Sequence, residues 1–383
     1  MKKRNVIVST LLTLTMAATT LMGCGSSTEN TADTNADAAQ VQEETKDAES
    51  EAEDTASGAE SSESTGADAA AVNKEDITGN VVFYTADPEE IATEVCEAFI
   101  SEYPNCTYTL YRSGTGNIVT KMEAELEAGG TECNCFSFSN LNYIYGLEEQ
   151  GLLYHWTPAG AENLVDSTFG DMAYNYKLEV CGIAYNTAMV EEAPASFWDL
   201  TEDAYNGTVA FADPGYSGAA LTAAITHVYN ENVTGWNFYQ AMKDNNLKFE
   251  QSNGNLQSKV ATGEYSAVVI VDYMARNAKA EGSPVEFVYP EEGGIVIYSP
   301  FCIMNTVKEE DKDAVVAFSE FLLSDTAQAI YNKYNYLPGI TTAELPEGVE
   351  SFDDIKMMDC DLDYYVENSD AISEKYFEMF PAN

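Results

Sequence analysis

The sequence predicts an α/β protein, with mostly parallel sheet flanked by helices and polar groups gathered where strands hand over to helices. Three observations predict it. Short apolar runs alternate with segments of helical period from Val81 onward. The first of these units reads β-α-β-α-β, the order that builds parallel sheet. A small-residue polar turn opens a helix at Ser113-Gly114-Thr115-Gly116, and a second does so well downstream at Ser217-Gly218.

The chain has 383 residues, enough for two domains with substantial cores, and its 45% hydrophobic and 11% aromatic content is that of a globular protein. Its 18 basic residues face 64 acidic ones, a formal charge of −46. That balance argues against nucleic acid, which needs basic surface to neutralise phosphates, and against electrostatic attachment to an anionic membrane. A small anionic ligand remains compatible. Exposed charges are screened over about 8 Å at physiological salt, whereas a helix terminus acts at contact.

Met1-Lys2-Lys3-Arg4 followed by the mostly apolar Val6–Met22 reads as an export signal. Leu21-Met22-Gly23-Cys24 resembles the bacterial lipobox, so residues 1–24 are expected to be a lipoprotein signal and Cys24 the lipidated residue. A plain secretory signal with an incidental cysteine is the alternative. No later apolar run is long enough to span a bilayer. Residues 25–78 are Ala, Ser, Thr, Asp and Glu with few large apolar side chains. Such a segment cannot bury enough surface to offset its ordering entropy, and it reads as an acidic tether.

In the folded part, Val81–Thr85 is a short buried strand, and Asp87-Pro88-Glu89-Glu90 opens a helix with Ile91, Val95, Ala98 and Phe99 on its face. Cys106–Tyr111 is extended. After the Ser-Gly-Thr-Gly turn, Ile118, Met122 and Leu126 recur on one face of a helix. The first amides of that helix have no intrahelical partner, the dipole is positive there, and glycines permit close approach. The turn is therefore a candidate anion site with two added hydroxyls; an ordinary capped turn uses the same residue types. It is not a Walker loop, since no Gly-Lys-Ser/Thr closes it. Cys133–Phe138 is a strand ending at Ser139-Asn140, and Leu141–Glu149 is a helix stopped by Gly151. Thr85, Ser113, Thr115 and Ser139 all fall at strand C-terminal ends, where ligands of such sheets sit.

Leu178–Tyr185 and Thr208–Phe211 are further strands. Asp213 to Ala220 then leads into the helix Leu221–Tyr229; Ala219 stands where a Gly-x-Ser-x-Gly nucleophile elbow needs its last glycine. Asn253-Gly254-Asn255 opens another helix. Ser266–Val271 is a buried strand running into Asp272-Tyr273 and a helix, Val285–Tyr289 is a strand, and Gly293–Tyr298 runs back toward Phe301–Met304. Helices are expected over 313–323 and 325–333. Tyr364-Tyr365 in the tail reads as surface packing.

Beyond Cys24, seven cysteines remain, an odd number that cannot all pair internally; most sit in apolar runs and are expected as free, buried thiols. Cys133-Asn134-Cys135 lacks a second pair or a nearby histidine, so no metal site is expected there. His155 and His227, the only histidines, read as structural.

With these residues in place, the chain from about 80 to 383 resembles the type 2 periplasmic solute-binding proteins of ABC importers, in the branch of ferric-ion, phosphonate and sugar-phosphate binders. The matching runs are Tyr111–Gly116, Gly151-Leu152-Leu153, Gly182–Thr187, Asp213-Pro214 with Ser217-Gly218, and Leu322-Leu323-Ser324 with Gln328. A further run, Asp272–Gly293, is most similar to 2-aminoethylphosphonate binders. The resemblance implies two lobes, 79–180 with 298–383 and 181–297, joined by two crossing strands near Leu178–Tyr185 and Gly294–Met304. It implies capture of a small phosphonate or phosphate ester for an ABC permease, no catalysis, no cofactor and a monomer attached to the membrane by lipid alone. It also implies ligand contacts at Ser113, Gly114, Thr115, Gly116, Ser139, Ser217, Gly218 and Ala219, joined by Thr85 from its strand end. Asp272 is placed to meet an amine and Tyr273 a phosphonate oxygen; a helix cap is the competing role for Asp272. Ferric iron is the alternative ligand. The ferric branch uses adjacent tyrosines about where this chain has Asp272-Tyr273, so only Tyr273 matches. An extracellular hydrolase is the alternative of another class, and neither a nucleophile elbow nor a His-Glu-x-x-His helix supports it.

Overall fold

The computed structural model describes residues 73–381; the signal, Cys24 and most of the tether lie outside them. The tether ends earlier than expected. Lys74–Asp76 form a 3-10 turn docked on the fold, where Asn105 Nδ2 donates to the Glu75 carbonyl at 2.7 Å and Lys74 pairs with Glu102.

The first unit runs β1 (Gly79–Thr85), α1 (Glu89–Glu102), β2 (Cys106–Arg112), α2 (Thr115–Glu127), β3 (Cys135–Ser137) and α3 (Leu141–Glu149). β1 pairs in parallel with β2 and with β3. Its apolar side chains Val81 and Phe83 meet Ile91, Val95 and Phe99 of α1 and Ile118 and Met122 of α2 in one core. The chain then enters β4 (Lys177–Asn186), a ten-residue strand buried almost throughout. There follow β5 (Val209–Ala212), α4 (Gly218–Tyr229), α5 (Gly235–Asp244), β6 (Lys248–Glu250), α6 (Asn253–Thr262), β7 (Ala267–Val271) and α7 (Asp272–Ala280). β5 pairs in parallel with β6 and β7, and both β5 and β7 are buried along their length, as central strands covered on two faces must be.

β8 (Val285–Val288) and β9 (Ile295–Ile297) return along β4, antiparallel to it. β10 (Phe301–Ile303) then rejoins the first sheet against β3. The first sheet is therefore ordered β10-β3-β1-β2. The second, with β11 (Leu337–Pro338) on β4, is mixed: β5, β6 and β7 are parallel, and β4, which brings the chain in from the first lobe, runs against β7, β8, β9 and β11. α8 (Glu309–Phe321) covers the first sheet, with Phe318 packed edge-on to Phe83 and Phe99, and α9 (Asp325–Lys333) packs on α1 and β11.

The tail differs from expectation. Leu362–Met379 is an 18-residue helix, α10, with Tyr365, Ser369, Ile372 and Tyr376 on its buried face. It does not belong to the first lobe alone. Tyr365 shares a 3.3 Å hydrogen bond with Thr222 of α4, and Tyr376 packs on Tyr239 of α5, while Asn142 of α3 donates to Asp370 at 3.1 Å. Tyr365 is thus core rather than surface. Ahead of it, Gly294 exchanges 2.8 Å hydrogen bonds with Lys356 and Met358, so the tail lies strand-like on the connection between lobes. All seven cysteines in the described residues are free thiols; six are buried and Cys360 is half-buried.

Candidate ligand-binding cleft

A cleft of about 290 Å³ lies between the lobes. Three helix starts form its rim. At α2, Ser113 donates its amide to Thr85 O at 3.2 Å, holding the turn against the end of β1, and Gly114 caps the helix in extended conformation. At α4, Ser217 Oγ accepts from the Ala220 amide at 3.3 Å, which leaves the hydroxyl proton free to donate. At α6, Ser252 caps in the same way through the Asn255 amide. Each start presents amides without intrahelical acceptors at the positive end of a dipole, the arrangement that holds anions. Arg112 adds a guanidinium to the lining, and its Nε donates to the Asp87 carbonyl at 2.9 Å.

The floor is built by the crossing strand. Lys177 at the start of β4 is fully buried, 3.0 Å from Asp87 and paired with Glu179. Tyr176 donates its hydroxyl to Asp87 Oδ2 at 3.0 Å, and Gln328 fixes that segment by donating to the Tyr176 carbonyl at 2.8 Å. Burial opposes the charge on Lys177, but Asp87 and Glu179 together outweigh it and hold its pKa above the usual lysine value. Glu179 is pushed up, first by burial and then by Asp87, against the pull of Lys177. Tyr273 is stacked on Tyr336 with ring centroids 3.7 Å apart, and burial, then Glu179 and Asp87, push its phenol up, away from the phenolate.

The lobes meet across the rim, backbone to backbone. The Gly116 amide faces the Tyr216 carbonyl at 3.5 Å, and a Cβ on Gly114 would lie 3.1 Å from the same oxygen. A Cβ on Gly116 would overlap the Gly215 carbonyl, and one on Gly218 the Ser139 carbonyl.

A profile for the family described as bacterial extracellular solute-binding protein matches residues 138–367. The chain belongs to that family. Its members are the solute-capturing components of ABC importers. A sequence comparison with curated proteins finds no match. Solved structures share the fold of this solute-binding protein at low identity. The periplasmic binding protein P5PA is 20% identical with a TM-score of 0.69, over 79% of this chain and 99% of its own. AfuA from Actinobacillus pleuropneumoniae, with fructose-6-phosphate bound, is 21% identical with a TM-score of 0.71 over the same shares. Iron-bound HitA from Pseudomonas aeruginosa is 15% identical with a TM-score of 0.66, over 78% and 99%.

In this solute-binding protein the cleft brings together Ser113, Gly114, Thr115, Ser139, Ser217, Gly218, Ala219 and Tyr273. Three expected residues are elsewhere. Thr85 is buried, its hydroxyl accepting the Asp87 amide at 3.1 Å. Gly116 faces the opposite lobe rather than the cleft. Asp272 is fully buried: Oδ2 meets Arg276 at 2.9 Å and the Tyr289 hydroxyl at 2.9 Å, and Oδ1 takes the Tyr273 amide at 2.8 Å. The carboxylate serves its own helix start and its neighbours, which leaves nothing to offer an amine. Sequence reasoning missed Arg112, the α6 start and the Asp87–Lys177–Glu179 floor. The α6 start carried a readable signal, a polar turn opening a helix like the other two.

No helix among the described residues is long and apolar enough to cross a membrane. Among them, too, no group of three or more His, Cys, Asp or Glu side chains is placed to hold a metal ion. His155 lies 3.0 Å from both Glu148 and Asp171 at the surface, and His227 is buried against Thr234, so neither reaches the cleft.

Proposed function

We propose that this solute-binding protein captures a small phosphonate or phosphate ester, of the 2-aminoethylphosphonate kind, and hands it to an ABC permease from the outer face of the membrane, held there by lipid on Cys24. The observation that carries the reading is the convergence of three helix starts, capped by Gly114, Ser217 and Ser252, with Arg112 on one small cleft. Tetrahedral oxygens accept several bonds at once, and bonds to an ionised acceptor are the strong ones. Fructose-6-phosphate in AfuA is consistent with an esterified phosphate in a cleft of this fold. Ferric iron, as in HitA, is the second reading, and Tyr273 is the residue that keeps it open. The stacking of Tyr273 on Tyr336 and its raised phenol pKa count against it.

Titration calorimetry with 2-aminoethylphosphonate, ethylphosphonate, hexose 6-phosphates and ferric citrate tests the ligand class. Binding of ferric citrate alone would overturn the phosphonate reading. Membrane attachment is tested by Cys24→Ala, which is expected to release the protein from membranes or stall its processing. Unchanged fractionation and processing would remove the anchor.

A further inference from the structure

We infer that Glu179 is the receptor for a cationic group on the ligand, so that the cleft accepts a zwitterion with its anion at the helix starts and its ammonium at the crossing strand. Because this rests on the anion-binding reading of the same cleft, the two are separated in the test below.

Lys177 and Glu179 are two apart on β4 and so share one face of the strand. That face meets Asp87, giving two carboxylates around one ammonium. Asp87 is satisfied: Oδ1 takes Lys177 at 3.0 Å and Oδ2 takes the Tyr176 hydroxyl at 3.0 Å. Glu179 is not. Its Oε1 pairs with Lys177, and Oε2 has no hydrogen-bond partner among the described residues. The side chain is 10% exposed, and the residue lines the cleft.

Two carboxyl groups therefore share one ammonium, and the second oxygen of Glu179 is without a donor. Burial makes a carboxylate charge costly unless it is paired and hydrogen-bonded. Neither nearby arginine pairs with Glu179: Arg276 is taken by Asp272, and Arg112 stands on the anion side of the cleft with its Nε on the Asp87 carbonyl. A ligand ammonium would supply the missing donor and a second positive charge beside the two carboxyl groups. A ligand with only an anion would bring like charge toward Glu179. The cation site expected at Asp272 thus moves across the same end of the β4–β7 pairing, where Cys181 faces Val271, to Glu179, a residue whose significance no local motif announces.

The experiment is calorimetry and thermal shift on the full-length protein and its Glu179→Gln variant with 2-aminoethylphosphonate, 2-hydroxyethylphosphonate, ethylphosphonate and ethanolamine. The wild type is expected to bind the amino compound about tenfold or more tighter than the other two phosphonates, as a charged hydrogen bond predicts. Glu179→Gln is expected to abolish that preference, with ethylphosphonate bound at least as tightly as by the wild type because the like charge is gone. Equal wild-type affinity for the three phosphonates would overturn the cation receptor and leave the anion site standing. So would equal weakening of all three in Glu179→Gln, because that is a structural effect. If no phosphonate binds, the anion reading fails, and ethanolamine decides the cation site alone. A wild-type melting shift with ethanolamine that vanishes in Glu179→Gln sustains the receptor, and no shift overturns it. Should Glu179→Gln not fold, Glu179→Asp keeps the charge at shorter reach, and an undiminished amino preference there overturns the assignment.

Discussion

Thr115 shows how much one hydroxyl can matter at the rim of the cleft. It is the first residue of α2, buried, and its methyl lies toward Gly218 of the other lobe. Thr115→Val keeps that shape and removes the donor. Losing one charge-assisted bond from a closed cleft costs about 1.5–3 kcal/mol, so affinity for a phosphonate should fall roughly tenfold to hundredfold. Wild-type affinity in both Thr115→Val and Ser217→Ala would mean that the anion sits elsewhere. His227 makes a different point at this scale. It is enclosed by Phe197, Phe238 and Tyr239, and burial pushes its pKa down to about 3. The unfolded chain takes up this proton below its ordinary value of 6.5, whereas the folded chain does so only near 3. The stability from keeping the ring neutral is therefore complete above pH 6.5 and is lost progressively as the pH falls toward 3, at about 1.4 kcal/mol per pH unit. Urea titrations of wild type and His227→Gln between pH 7 and pH 4 should show a shallower slope in the variant; identical slopes would contradict the burial argument.

At the scale of elements, α10 carries the clearest consequence. Tyr376 is buried between Tyr239 and Phe380 with ring centroids 5.1 and 5.0 Å away. Tyr376→Ala should destabilise the protein by about 3–5 kcal/mol, the range for deleting a large core aromatic. A denaturation midpoint close to wild type would mean that α10 is not docked in solution. This helix was also the largest element that sequence reasoning overlooked. Its stripe Tyr365, Ser369, Ile372, Tyr376 has helical spacing, but a serine interrupts it and tyrosines read equally well as surface. By contrast β1, α1, α2, β5 and β7 were legible, because dense apolar runs bounded by Asp-Pro, Gly or Ser-Gly turns admit few other conformations. The helix starts were legible for the same reason. The cleft floor was not: Asp87 and Glu179 come from distant parts of the chain and meet only through the path of β4, and no local pattern signals that a crossing strand will bury a lysine between two carboxylates.

For the whole molecule the decisive contact is the one at which the lobes touch. Gly218 opens α4 in the second lobe, and the position its Cβ would take is occupied by the Ser139 carbonyl of the first. That obstacle is backbone, which cannot swing aside as a long side chain can. Gly218→Ala should therefore penalise the closed arrangement and leave the open one untouched. Alanine is also the better helix former, by up to about 1 kcal/mol, so the fold should be no less stable. A ligand that needs closure then binds less tightly in proportion to the lost closed population, and a penalty of about 1.4 kcal/mol already means tenfold. The expected result is a melting temperature at or above wild type without ligand, affinity reduced by at least about tenfold, and small-angle scattering in which the wild type compacts with ligand and Gly218→Ala does not. Ser139 lines the cleft as well, so Ser139→Ala provides the contrast: it removes a hydroxyl but keeps the carbonyl that meets Gly218, and compaction should survive. If Gly218→Ala compacts and binds like wild type, the lobes do not close through this contact, and the tie between them must be sought in the tail that lies along Gly294 and α10.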